Sequence, residues 1–471
     1  MAIVSPPRCA PAPSPSSFAS PFADPALARR LLGMGLALMV AALLWLSWTE
    51  YALPPGYQAA YWGLNPLAVT HWADHLHFAL PPPLPAPRWN AQFRGGLALL
   101  WLGYGLLACA ARRAAPSRKT TLIITAGLAS VVAVLMPPLL STDSYAYAAT
   151  GRLAVLYGQN PYVALPITVL HKMGDPAQFF LAWDIPTVYG PIWTGLVVAL
   201  VGGLPHGWLW GEVLCMKLVE AGALCLLAWS AGHIAEHYQP GRGKLGALLA
   251  GACPLLLLEG AGSGHNDLLM MACLFTAVAL FLRGKHGGAG LWLGLAVGIK
   301  LLPLVLLPWL LWDVSRTLPD PRARRRAMFQ LVFWMLLPLI LGYACFWHGG
   351  AAWEALHRRT QMGHGTFLWA GLAYAALSAW LWTRKPAPAP APGARKPAPA
   401  PWLAAWMVFS GVFMMTGLGI AFPWYLCWLW PAMALSGERI YRPLFAAVFV
   451  FALFWESLYA TLLPLSAFAG R

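Results

Sequence analysis

Acids are scarce in this chain, 16 of 471 residues, and one of them follows directly on a long apolar run. That residue is Asp143, in the stretch LLSTDSYAYAATGRLAVLYGQNPY. A carboxylate there has two readings. It belongs to a helix N-terminus, as Ser-Thr-Asp before a helical stretch commonly does, or it is a general base held near an acceptor hydroxyl. Tyr145, Tyr147 and Arg152 follow closely; the tyrosines read first as interfacial aromatics and otherwise as the lining of a sugar pocket. Lys300, set between Gly-Ile and Leu-Leu-Pro, has no easy route for its ammonium to reach water. It suits an anionic phosphate, with pairing to a carboxylate as the other reading. His265-Asn266-Asp267 opens an apolar run, where Asn266 or Asp267 could cap a helix at its positive end. Arg358 and Arg359 either touch lipid headgroups or bind a phosphate, pyrophosphate or acidic glycan. The spacing of these groups, and of His171, His348, His357 and His364, gives no helical metal-ligand pair.

The elements that must position these groups are membrane helices. The chain is 59% hydrophobic and 10% charged, where soluble domains carry about 25% charged residues. Long unbroken apolar runs, rather than dyad alternation, predict helices and exclude a β-barrel. The net charge of +15 is not a nucleic-acid footprint. It comes from short clusters such as Arg29-Arg30, Arg112-Arg113, Arg242 to Lys244, Arg283 to Lys285 and Arg322 to Arg326, which lie between apolar runs and hold loops in the cytoplasm. The eight cysteines form no CxxC pair and read as small buried hydrophobes.

Threading the runs through a bilayer gives an all-α polytopic membrane protein of about thirteen spans. Residues 1–28, rich in Pro, Ser and Ala, read as a disordered cytoplasmic tail, and 29–471 as a single transmembrane domain. The spans fall near 31–48, 95–111, 120–140, 209–234, 245–258, 267–283, 289–299, 301–314, 328–347, 368–383, 402–421, 424–437 and 444–466. Residues 141–208 form a large outer loop, in which 190–204 is a juxtamembrane helix because a crossing there would break the parity of the basic loops. The Pro/Ala-rich stretch 384–401 is an extended cytoplasmic loop. The apolar pair 289–299 and 301–314 resolves as two short helices meeting at Lys300. This topology gathers Asp143, Tyr145, Tyr147, Arg152, Tyr189, His265, Asn266, Asp267, Lys300, Arg358, Arg359, Trp424 and Tyr425 on the extracytoplasmic side. Ionisable groups at membrane depth are costly and mark function by default.

The order of these stretches resembles a known family. TDSYAYAATGRL with GQNPY, then YGPIW at 189–193, GHNDLLM at 264–270, GLAVGIKLLPLVLLP at 294–308 and FPWYLCWLWP at 422–431 are similar to the C-type glycosyltransferase superfamily. Within it they look most like the bacterial polyprenol-phosphate-mannose-dependent α-mannosyltransferases. The resemblance covers about 120–435 and implies transfer of a sugar, mannose in that group, from a polyprenyl-phosphate donor to a glycan or glycolipid acceptor. The reaction would take place on the outer side of the bacterial inner membrane. Asp143 would be the catalytic acid of the outer loop and general base. Lys300 would lie near the donor phosphate, with Arg358 or Arg359 as a second clamp. Tyr145, Tyr147, Arg152, Tyr189, His265, Asn266, Asp267, Trp424 and Tyr425 would line the pocket. Some relatives bind a divalent metal through paired acids; here Asp143-Ser144-Tyr145 offers one carboxylate, and no cofactor is implied. A lipid-linked glycan ligase or polymerase, or a lipid-linked-sugar flippase, would share the many spans and buried charges. The flippase should also show inverted repeats, and none is evident.

Overall fold

The computed structural model describes residues 24–54, 66–138, 141–181, 184–350, 366–383, 401–416 and 423–429, and among them the regular elements are all helical, with no strand. Among the described residues five helices are long and apolar enough to cross a membrane: α1 (Pro25–Tyr51), α3 (Ala86–Ala114), α4 (Arg118–Leu135), α8 (Leu209–Tyr238) and α13 (Pro321–Cys345). The shortest has 18 residues, about 27 Å at 1.5 Å per residue. One bent pair is long and apolar enough only when taken together: α9 (Gly243–Gly251) and the π-helical turn Leu256–Gly262, bent from it by 58°. Polytopic and all-helical therefore hold, and the count of thirteen is not confirmed. Two of the expected spans are shorter helices, α10 (Asp267–Phe281) and α11 (His286–Ile299), of 15 and 14 residues. Most of 424–437 and all of 444–466 lie outside the described residues.

Proline and small residues set the breaks. Extended Lys300 ends α11, a 3-10 turn at Leu302–Leu306 carries Pro303, and α12 (Leu307–Thr317) restarts behind it. That is the meeting of two short helices at Lys300 expected from the sequence. The stretch 141–208, expected to be an outer loop, folds into α5 (Asp143–Val155), α6 (Pro166–Lys172), a 3-10 turn at Pro176–Phe180 and the 12-residue α7 (Pro191–Gly202). α7 falls on the stretch read as juxtamembrane, and at about 18 Å it is too short to span. A further short helix, α2 (Pro66–His75), lies in the preceding loop. α14 (Thr366–Thr383) and α15 (Pro401–Thr416) complete the described helices.

Glycine lets the site helices approach closely. A Cβ on Gly290 or Gly294 would collide with the backbone of α13 at Leu331 or Met335, and one on Gly298 would meet Ile192 of α7. This small-xxx-small stripe is how membrane helices bring backbones into contact without a hydrophobic driving force. Gly190 continues it: its N–H donates to Ile299 O at 2.9 Å, and a Cβ there would strike the Gly298 carbonyl. The Tyr-Gly-Pro turn is thereby fastened to the turn that carries Lys300.

Candidate active site

Asp143 is the first residue of α5. Its N–H donates to Ser141 Oγ at 3.1 Å, so the serine serves the helix end and the aspartate side chain turns elsewhere. At the positive end of α5 a carboxylate is electrostatically favoured. Three groups converge on its Oδ2: Tyr147 Oη at 3.3 Å, Tyr189 Oη at 3.4 Å and His265 Nδ1 at 3.4 Å. The side chain keeps 29% of its surface open while that of His265 is 1% exposed. Tyr147 reaches Asp143 because residues four apart share a helix face. Its ring packs edge-on against Tyr189 and Trp193, at 5.1 and 4.8 Å between centroids. Burial, then the neighbouring Tyr189 and Asp143, push its hydroxyl well above the ordinary tyrosine range, so it stays protonated as a donor.

Tyr189 is placed from behind. Tyr162 of GQNPY donates to its carbonyl at 3.0 Å, and Tyr162 in turn is set by the Asn160 side chain, which accepts from its N–H at 3.0 Å. Near the Tyr189 ring stands Lys300, its Nζ 5.7 Å from the centroid and 5.5 Å from that of Tyr425. Both lie within cation–π range. The ammonium also binds Asp267 Oδ2 at 2.6 Å, while Trp428 Nε1 donates to Asp267 Oδ1 at 2.6 Å. Lys300 is thus held by a carboxylate, the pairing that was one of its two readings, and its side chain remains 12% exposed.

His265 lies at the end of the π turn, just after Gly264, whose φ of +76° needs glycine. Its ring stacks on Trp424 at 4.1 Å and 19°, and its Nε2 lies 3.6 Å from Glu259 Oε2. Asn266 takes the N-cap position of α10, yet its side chain makes no cap bond. The residue is fully buried, and its amide oxygen and nitrogen have no hydrogen-bond partner among the described residues. Buried polar atoms rarely go unpaired.

Two of the residues picked from the sequence lie apart. Arg152 is buried in an ion network. Its Nε reaches Asp175 Oδ2 at 2.9 Å and its Nη1 reaches Glu212 Oε1 at 2.7 Å. Burial works against its charge, but the bonds to Glu212 and Asp175 outweigh it and raise its pKa above the ordinary value. Tyr145 faces the other side of α5, with Phe180 stacked on it at 4.1 Å and His71 Nδ1 at 3.2 Å from its hydroxyl. Beside that pair opens a separate cleft of about 490 Å³, lined among others by His71, Asp74, His75 and Trp208. Arg358 and Arg359 lie outside the described residues.

The sequence reading missed the buried acids and lysine of the spans. Glu212, Lys217, Glu220 and Glu259 are each at most 1% exposed. Glu220 accepts from Leu269 N at 2.8 Å, under the first turn of α10. Lys217 donates to the Met136 carbonyl and stands over the Trp72 ring at 4.3 Å. The signal that finds them is their mere presence inside apolar runs. No group of three or more metal-ligating side chains assembles among the described residues.

Comparison with known proteins covers the same region. Residues 84–316 match the family described as Alpha-(1->6)-mannopyranosyltransferase, N-terminal domain. That stretch holds Asp143, Tyr147, Tyr189, His265, Asp267 and Lys300, but not Trp424 or Tyr425. The chain is 28% identical over 236 residues to alpha-(1->6)-mannopyranosyltransferase A of Mycobacterium tuberculosis, covering 49% of this chain and 43% of that one. It is 31% identical over 196 residues to a probable alpha-(1->6)-mannopyranosyltransferase of Mycolicibacterium smegmatis, 40% of this chain and 33% of the other. With alpha-(1->6)-mannopyranosyltransferase A of Corynebacterium glutamicum it shares 26% identity over 189 residues, 38% and 36% of the two chains. The chain thus spans less than half the length of these curated relatives. No solved structure matches it. Through the stretch that holds most of the Asp143 cluster, the protein is similar to the alpha-(1->6)-mannopyranosyltransferases.

Proposed function

We propose that the protein is a membrane mannosyltransferase. It moves a mannosyl group from a polyprenyl-phosphate donor to a glycan or glycolipid acceptor, on the extracytoplasmic side of the bacterial inner membrane. The observation that carries this reading is the Asp143 carboxylate, partly open and met at 3.3 to 3.4 Å by two tyrosine hydroxyls and an imidazole. The names of the relatives support the sugar, and the basic loops support the orientation.

The chemistry needs few parts. The anomeric carbon–phosphate oxygen bond of the donor breaks as the acceptor oxygen attacks, and Asp143 takes the acceptor's proton. Tyr147 and Tyr189 hold the carboxylate in place. Lys300, 5.7 Å from the Tyr189 ring, keeps ammonium protons beyond the one given to Asp267 and can meet the departing phosphate. Arg358 and Arg359 would add a second clamp on the same charge. The unpartnered amide of Asn266 can donate to and accept from sugar hydroxyls. The test is made in detergent with a short-chain polyprenyl-phosphate mannose and a mannoside acceptor. Release of lipid phosphate with formation of a new mannoside supports a transferase. A protein that moves the lipid only across sealed vesicles, with no new glycosidic bond, is a flippase and contradicts the proposal.

A further inference from the structure

Behind the candidate base lies an acid with no surface of its own. Glu259 sits in the π-helical turn Leu256–Gly262 and is 1% exposed. His265 stands between it and Asp143, with Nδ1 3.4 Å from Asp143 Oδ2 and Nε2 3.6 Å from Glu259 Oε2. The imidazole therefore separates a carboxylate that is 29% open from one that is closed. Among the described residues neither ring nitrogen makes a hydrogen bond, so these contacts do not lock the tautomer. A buried acid at membrane depth is costly, and π turns inside helices recur at functional sites.

We propose that Asp143, His265 and Glu259 form a proton relay, with His265 and Glu259 as positioning residues that act through Asp143. The relay rests on the reading of Asp143 as the base. Neutral His265 begins with its proton on Nε2, toward the Glu259 carboxylate, and its Nδ1 lone pair toward Asp143. As the glycosidic bond forms, the acceptor O–H bond breaks and Asp143 gains the proton. That proton passes to Nδ1 while the Nε2 proton passes to Glu259, which leaves Asp143 again ionised and Glu259 neutral. The reverse movement returns a proton through Asp143 to water or to the lipid phosphate product before the next turnover. The titratable groups around the ring are Asp143 from α5, Glu259 from the π turn, Lys217 of α8 beside Gly264, and Asp267 next along the chain. Tyr147 and Tyr189 stand at the Asp143 end.

The test uses the full chain in detergent and compares wild type with Glu259→Gln, Glu259→Asp and His265→Gln. Infrared titration of the protonated carboxyl stretch, assigned with Asp143→Asn, reads the coupling without substrate. Glu259→Gln is expected to shift the titration of Asp143, move the acid limb of the kcat profile and lower kcat about tenfold with the donor KM unchanged. Glu259→Asp should restore most of it, and His265→Gln should uncouple the two carboxyls if Glu259→Gln fails to fold. An active wild type whose Asp143 titration and kcat profile are the same in Glu259→Gln refutes the relay alone. A folded wild type that transfers no sugar refutes the base reading of Asp143, and the relay's catalytic role with it.

Discussion

Asp143 and His265 meet at 3.4 Å, one from the start of α5 and the other from just beyond the π-helical turn Leu256–Gly262. Tyr189, from a third motif, closes on the same carboxylate oxygen at 3.4 Å. Its ring also lies 5.7 Å from the Nζ of Lys300, which pairs with Asp267. The base and the cation that the proposed reaction requires therefore share one aromatic neighbour.

Removing either tyrosine hydroxyl tests how far that arrangement matters. The bonds to Asp143 are long, 3.3 and 3.4 Å, so each is assigned a modest share, about 1 kcal/mol or roughly fivefold in rate. Tyr147→Phe and Tyr189→Phe should lower kcat by that factor and leave thermal unfolding unchanged. A wild-type kcat in both variants would mean that the hydroxyls do not orient the base.

The Lys300–Asp267 pair makes a stability prediction. Asp267 is 1% exposed and binds both Lys300 and the Trp428 indole at 2.6 Å. Asp267→Asn leaves an ammonium without its counter-charge, which costs about 3–5 kcal/mol for a buried pair. Thermal unfolding in detergent should show a large loss for Asp267→Asn. The double variant Asp267→Asn/Lys300→Met should lose less than the single one. A single variant as stable as wild type would mean that water already screens the pair.

Gly190 is predicted to tolerate no side chain. Its φ of −69° suits alanine, so the penalty is purely steric, from the Gly298 carbonyl. Overpacking of this kind costs about 1–3 kcal/mol. Gly190→Ala should lower the unfolding midpoint and, by moving Tyr189 away from Lys300, reduce transfer as well. Unchanged activity would show that the fastening of these two turns is not needed.

Much of this site could be read from the chain before any coordinates. Asp143, Tyr147, Tyr189, His265, Asp267 and Lys300 each stood out as polar residues at the ends of apolar runs, and all six converge. Arg152 stood out for the same reason yet serves a buried network with Asp175 and Glu212, because sequence spacing does not say which acid a distant arginine will meet. Glu259, in LLLLEGAGSG just past the span expected at 245–258, was passed over, since a π turn has no hydrophobic period of its own to mark it. The thirteen-span count fails to be confirmed for a related reason. Apolar length alone does not separate a crossing from helices of 14 or 15 residues packed within the bundle.

His71 gives a pH prediction. Burial, and then His75, pull its pKa from 6.5 down to about 4, with Asp74 opposing. The folded protein therefore keeps it neutral where the unfolded chain is protonated. Its stabilising share is complete above pH 6.5 and is lost as pH falls from 6.5 toward 4. His71→Gln should flatten that part of the unfolding midpoint against pH. An equally steep loss of stability in the variant would assign the acid sensitivity to other groups.

Mannosyl transfer by wild type and Asp143→Asn, side by side in detergent with polyprenyl-phosphate mannose as donor, tests the central claim most directly. Loss of a positioned general base costs roughly 10²–10⁴ in rate. The prediction is a drop of that size in a variant that keeps the wild-type elution profile and unfolding midpoint. Transfer at the wild-type rate by Asp143→Asn would contradict it and return the carboxylate to a structural role at the head of α5.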